Sequence, residues 1–212
     1  VTTEEIRPPR PGRPSTPPAV REATHADTPA MTQALARAFH DDPVFNWLYP
    51  GAEARLKHGR RYFEGRARLL LRQRHVYTVD GGHAAAMWAR PGEWHDPPLE
   101  ALRQIFELAP GIGRRALRAL VGQHRMESNH PSEPHWYLAV LGTDPDHQGR
   151  GLASALMQPV LDGCDRDEIP AYLETATERN VAFYTRHGFR TTGEIQLPKG
   201  PRMWLMWRDP RP

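Results

Sequence analysis

Two glycines, Gly149 and Gly151, sit in the run Asp144-Pro-Asp-His-Gln-Gly-Arg-Gly-Leu-Ala-Ser154, just ahead of residues with a helical apolar pattern. Without a Cβ the backbone can be approached closely by a ligand. The first N–H groups of a helix also lack intrahelical partners and carry the positive end of its dipole. Such a turn holds a phosphate or pyrophosphate, although an ordinary tight turn uses the same residues. A P-loop needs Lys and Ser or Thr after its last glycine, where this chain has Leu152 and Ala153, and a dinucleotide fingerprint needs a third glycine. Further along, Glu174 offers a carboxylate, Asn180 an amide and Tyr184 a phenol. Upstream, the acids Asp41 and Asp42 stand beside Phe45 and Trp47, groups able to attract an ammonium and stack on an aromatic body. Trp88 is either a further pocket wall or core.

The 11 histidines show no His-Glu-x-x-His spacing and no paired Cys/His cluster, so no metal site is expected. The single cysteine, Cys164, excludes an internal disulfide, and its place on an apolar stripe makes it a packed thiol rather than a nucleophile.

Those groups need elements to hold them. Trp136 to Leu141 reads as a strand entering the glycine turn, and Leu152, Leu156, Val160 and Cys164 recur on one face of the helix leaving it. Pro159 cannot donate to the carbonyl of Ala155, so a kink is expected there. Ahead of this unit come a short strand at Val20–Thr24 and a helix capped by Asp27 or Thr28, with Met31, Leu35, Ala38 and Phe39 on one face. A proline-limited loop over 38–50 and a long amphipathic helix from Glu53 to Arg74, its arginines on a solvated face, follow. Val76–Val79 and Ala84–Ala89 form a hairpin around Asp80-Gly-Gly. Helical segments at Leu99–Phe106 and Arg114–Leu120 read as an insertion before the central strand. After the turn, Ala171–Thr175 is a strand, Asn180–His187 a short helix, and Thr191–Leu197 with Arg202–Arg208 a closing hairpin. The order predicts an α/β (α+β) fold, a mixed, largely antiparallel central sheet flanked by helices. Residues 1–19, rich in Pro and Arg, read as a disordered tail, and 20–212 as a single domain.

Gln148-Gly-Arg-Gly151-Leu-Ala153 follows the pattern Gln/Arg-x-x-Gly-x-Gly/Ala and resembles the coenzyme A loop of the GNAT superfamily of N-acetyltransferases. Arg179-Asn-Val-Ala-Phe-Tyr-Thr-Arg-His-Gly-Phe189 is similar to the segment after that superfamily's fifth strand. From Glu133 to Arg208 the likeness is nearest to its puromycin-acetylating branch. The resemblance implies acetyl-CoA as cosubstrate. Gln148, Gly149, Arg150, Gly151, Leu152, Ala153 and Ser154 would hold the pyrophosphate, and the pantetheine arm would run beside Leu141, Gly142 and Thr143. The Leu141 N–H would polarise the thioester carbonyl, Asn180 would hold the pantetheine amides, and Tyr184 would protonate the departing thiolate. Glu174 would accept the amine's proton through water, with Glu127, His130 and His135 as rivals. Asp41, Asp42, Phe45, Trp47 and Trp88 would line the acceptor site. The reaction is read as direct transfer to a small-molecule amine, an aminonucleoside first, without a covalent enzyme intermediate. A protein amine or a noncatalytic acyl-CoA-binding module are the alternatives.

At 212 residues, 39% hydrophobic and 25% charged, the chain can bury one α/β core. The net charge of +3 is spread among acids, so nucleic acid is not an expected partner. No apolar run approaches a membrane span, and a reducing cytoplasm suits the lone cysteine. The oligomeric state is not legible.

Overall fold

The computed structural model describes residues 19–97, 99, 100, 103 and 112–212. The expected tail falls outside them up to residue 18, as does most of the insertion between 99 and 111. Seven strands form one sheet: β1 (Val20–Glu22), β2 (Val76–Val79), β3 (Ala84–Ala89), β4 (Trp136–Thr143), β5 (Ala171–Thr175), β6 (Arg190–Gln196) and β7 (Arg202–Arg208). Their order is β1-β2-β3-β4-β5-β7-β6, with every neighbour antiparallel except β4 and β5, which run parallel. The mixed, largely antiparallel sheet expected from the order of elements is the one observed.

Helices cover both faces. On one lie α1 (Thr28–Ala38), α2 (Pro43–Leu48) and α3 (Ala52–Leu70); a further helix, α4 (Ala116–Ser128), precedes β4. On the other lie α5 (Leu152–Arg166) and α6 (Glu178–Arg186). Strand β3 shows how the sheet is shared: Ala85, Met87 and Ala89 pack toward the α1–α3 cluster, Ala84, Ala86 and Trp88 toward the α5 cluster. That is the two-residue period of a strand buried on both sides. On α5, Leu156, Val160 and Cys164 are buried as their spacing requires. The helix runs unbroken through Pro159, which sits on its exposed outer side, where water can satisfy the freed carbonyl.

Two expectations change. The loop over 38–50 contains α2, because Asp42 caps it: its carboxylate accepts from the N–H groups of Val44 (2.8 Å) and Phe45 (3.2 Å), and Pro43 occupies the first helical position. The arginines of α3 are not all solvated either. Arg66 is buried and forms an ion pair with Asp96, and its stretch of α3 faces the sheet with Phe63 and Leu70.

Candidate active site

The parallel strands β4 and β5 pair only at Trp136↔Ala171 and Tyr137↔Tyr172, and then part. Beyond that point one edge of β4 is open. Which groups face the opening follows from the pairing with β3. The Asp144 N–H donates to the His83 carbonyl at 2.9 Å, making 83 and 144 a hydrogen-bonded pair. Antiparallel alternation then gives the same status to 85/142 and 87/140, and turns the N–H and C=O groups of Leu141 and Thr143 away from β3. A bulge sets this phase. Met87 lies opposite Val140 and Trp88 opposite Leu138, so Ala139 is an extra residue in β4. Trp136 donates its N–H toward β5, to the Pro170 carbonyl at 2.9 Å; without the bulge, alternation from Trp136 would point the Leu141 N–H into β3 instead. No feature of the sequence marks Ala139.

At the open end lies the glycine turn. Gly149 (φ 77°) and Gly151 (φ 78°) adopt the left-handed conformation that disfavours other residues, and a Cβ at either would meet open space. The ladder of α5 begins with the Ala155 N–H on the Gly151 carbonyl, which leaves the N–H groups of Leu152, Ala153 and Ser154 for a ligand. Gln148 is drawn back to the strand, donating to the Thr143 carbonyl at 3.2 Å, and Arg150 folds onto the Asp146 carbonyl. Ser154 Oγ lies 3.0 Å from His187 Nε2. Arg37 of α1, unforeseen in the sequence, pins the loop through Asp144 (3.4 Å) and Asp146 (2.7 Å) and offsets two acids next to the anion cradle. The cradle, the outward N–H groups and the open strand edge fit a nucleotide-bearing thioester.

On α6, Asn180 and Tyr184 are four residues apart and share a face. The Tyr184 ring is buried against Phe189 and Phe183. Burial first, and the Asp42 carboxylate second, hold its phenol above the ordinary range. Across the opening, Glu174 of β5 is 7% exposed; its Oε2 accepts from the Tyr137 hydroxyl at 2.8 Å, and its Oε1 lies 3.5 Å from His130 Nδ1. His130 Nε2 is 2.9 Å from His135 Nε2, and His135 Nδ1 donates to the Glu133 carbonyl at 2.6 Å. Trp94 stacks on His130 with ring centres 3.6 Å apart. Tyr62, Arg66 and Asp96 adjoin this cluster from the α3 side.

The acceptor residues read from sequence do not assemble as a group. Asp41 is exposed and Asp42 caps α2; burial, opposed by its two backbone hydrogen bonds, raises the Asp42 carboxyl above its ordinary value. Phe45 is core, packed on Phe39, Tyr62 and Phe63. Trp47 is a fastener: its Nε1–H donates to the Pro198 carbonyl at 3.2 Å, and its ring fills the space beside Gly122 and Gly200. Trp88 is fully buried on the opposite, α5 face. Glu127, a rival base, is engaged by Gln123 on the surface of α4. Among the described residues no group of three His, Cys, Asp or Glu side chains could hold a metal ion, and no helix is long and apolar enough to cross a membrane.

A sheet split between parallel strands, with a glycine turn and unpaired helix N–H groups at its open end, offers room for an extended ligand that carries an anionic group. The chain belongs to the acetyltransferase (GNAT) family, whose model matches residues 81–189. It is an N-acetyltransferase, and acetyl-CoA is the donor this fold uses. An uncharacterized N-acetyltransferase of Schizosaccharomyces pombe is 24% identical, over 91% of this chain and 83% of that one. The crystal structure of a "histone acetyltransferase HPA2 and related acetyltransferase" from Corynebacterium glutamicum is similar with a TM-score of 0.65 and 26% identity, covering 92% of this chain and 97% of that one. Arylalkylamine N-acetyltransferase 2 of Aedes aegypti shares the fold at 14% identity, with a TM-score of 0.63 and coverage of 91% and 99%. A UPF0283 membrane protein of Salmonella choleraesuis is 33% identical over 78 residues, but the chain spans 22% of its length.

Proposed function

We propose that the protein transfers acetyl directly from acetyl-CoA to the amine of a small cationic molecule, with puromycin or a related aminonucleoside as the first candidate and self-protection in the cytoplasm as the role. The observation that carries the reading is the Leu141 N–H, turned by the bulge at Ala139 into the opening between β4 and β5. A donor fixed there, between the glycine turn and Tyr184, meets an oxyanion as charge develops on the carbonyl. Leu152 to Ser154 hold the pyrophosphate, Thr143 and Leu141 line the arm, and Asn180 holds its amides. Tyr184, kept protonated by its surroundings, gives its proton to the leaving sulfur and regains one from water. Glu174 takes the amine's proton.

The acceptor side supports a cation: Asp42, Asp96 and Glu174 outnumber the guanidinium of Arg66 there. Its aromatic wall is Tyr62, Trp94 and Tyr137, in place of the Phe45, Trp47 and Trp88 set read from sequence. The likeness of the run from Glu133 to Arg208 to the puromycin-acetylating branch selects the first substrate to assay. A protein or peptide amine is the second reading, favoured by the name of the Corynebacterium glutamicum structure. Acetyl-CoA turnover with puromycin, a panel of other amines and peptides, followed by thiol release and product mass, separates the two. Acetylated peptide with unmodified small amines rejects the first reading.

A further inference from the structure

The hydrogen bonds around His130 fix how many protons the acceptor side holds. His135 Nδ1 faces a carbonyl, an acceptor only, so that nitrogen carries a proton. Burial foremost depresses the His135 pKa, which leaves its Nε2 bare as an acceptor. The His130 Nε2, 2.9 Å away, must then donate. A neutral His130 would consequently present the lone pair of Nδ1 to the Glu174 carboxylate at 3.5 Å, two electron-rich groups facing each other while nearly excluded from water. Trp94 stacks on the face of the His130 ring, and Tyr137 and Tyr172 stand at steep angles to it, so aromatic rings enclose the imidazole and the Glu174 carboxylate is the group its Nδ1 faces.

We propose that Glu174 and His130 share one proton and work as a single base, with His135 as the residue that fixes the His130 tautomer. The inference rests on the acetyl-transfer reading for its role in catalysis. In the resting state the proton lies between Oε1 and Nδ1. Once it is lost to solvent, the opposed lone pair and carboxylate take one N–H proton from the incoming ammonium. The amine nitrogen forms the C–N bond as the C–S bond breaks, and its second N–H proton goes to water. Tyr184 protonates sulfur and is refilled from that water, so each cycle releases one proton to solvent, from the Glu174–His130 pair. The charged or titratable groups facing the pair are His135, Tyr137 and Glu133 beside β4, Tyr172 on β5, Tyr62 and Arg66 on α3, and Asp96.

Nitrogen-15 NMR of the histidine-labelled full chain reads the proton count without substrate. Expected are a neutral His135 protonated at Nδ1, and a His130 protonated on both nitrogens that titrates at the pH where kcat rises. Glu174→Gln should return His130 to a single neutral tautomer at that pH, and His130→Asn, which keeps an N–H toward Glu174 but cannot ionise, should abolish the kcat inflection and lower kcat by about 10–100-fold at unchanged acetyl-CoA KM. A His130 that is neutral with a bare Nδ1 throughout, or a kcat inflection that survives in His130→Asn, overturns the proposal. Should no amine be turned over while NMR finds the shared proton, the acetyl-transfer role fails and the proton pair stands.

Discussion

In the proposed reaction Tyr184 protonates the departing sulfur, and its surroundings decide in which form it would act. Burial disfavours the phenolate, and Asp42 disfavours it further, so both causes push in the direction of a neutral donor across the working pH range. The proton is therefore present when the sulfur leaves, and no loss of rate through phenol ionisation is expected near neutral pH. Tyr184→Phe keeps the ring among Phe183 and Phe189 and removes only the donor. The expected result is a kcat lower by about 100-fold with an acetyl-CoA KM changed by no more than about twofold. Steady-state kinetics at saturating amine make the check, and an unaltered kcat with chemistry shown to be rate-limiting assigns the ring to packing alone. Tyr184, Asn180 and Glu174 are legible in the chain through the resemblance of their segments to the acetyltransferase family, and the structure places Asn180 and Tyr184 on one face of α6 and Glu174 near the end of β5. Arg37 and His130 act through partners 109 and 44 positions distant, Asp146 and Glu174, and no local pattern announces such a pairing.

At the scale of elements, β4 does the selecting. Its backbone is paired to β3 along one edge and open along the other, so neighbouring amides should differ although all lie in one strand. Amide exchange followed by NMR should find Leu141 and Thr143 exchanging faster than Val140 and Gly142, with both slowed when CoA binds and covers the edge. Equal protection in the free protein would mean that the bulge at Ala139 does not set the phase. The strand itself, the turn and α5 were legible because apolar run, glycines and helical stripe follow one another within 30 residues. The bulge was not, since the run from Trp136 to Leu141 is apolar throughout and offers no alternation for an extra alanine to interrupt. The capped α2 was half visible: Asp42 and Pro43 are helix-start residues, but six residues give too little periodicity to outweigh the prolines at both ends. A second junction ties α5, α6 and β7 together. Arg208, whose side chain is 2% exposed, donates to Asp165 at 2.7 Å and to the His187 carbonyl at 3.0 Å. The hydrogen bond from Arg208 holds the Asp165 carboxyl below its usual value, against a smaller opposing effect of burial. Its stabilisation is therefore complete above the unfolded carboxyl pKa of about 4 and lost as pH falls through the lower folded value. Asp165→Asn should remove about 2 kcal/mol at neutral pH, read by urea denaturation, and should flatten the loss of stability on acidification. The same acid slope in mutant and wild type would place that loss elsewhere.

For the whole molecule, the sheet separates two tasks that meet only where β4 and β5 part. The α5 side and the glycine turn present backbone donors and a helix terminus, which suit an anionic donor. The α1–α3 side presents Asp42, Asp96, Glu174 and a wall of Tyr62, Trp94 and Tyr137, which suits a cation carrying an aromatic body. In the proposed direct transfer both substrates would be present at once, the donor on one side of the opening and the acceptor on the other. Puromycin fits that demand as an aromatic aminonucleoside with a free amine, and it is expected to be acetylated at that amine. The rate should rise with pH until the acceptor side has lost its resting proton. Trp94→Ala should raise the amine's KM about 10-fold, the loss of one stacked aromatic contact, and leave the acetyl-CoA KM in place. Trp47→Ala behaves differently in this account. Because that ring fastens α2 to Pro198 and fills the space beside Gly122 and Gly200, its removal should lower the melting temperature before it alters any KM. Thiol release, product mass and thermal unfolding on the wild type and both variants give the answer. A Trp47→Ala protein of normal stability with a raised amine KM would return that tryptophan to the acceptor pocket, and turnover of other amines with puromycin left unmodified would reject this acceptor.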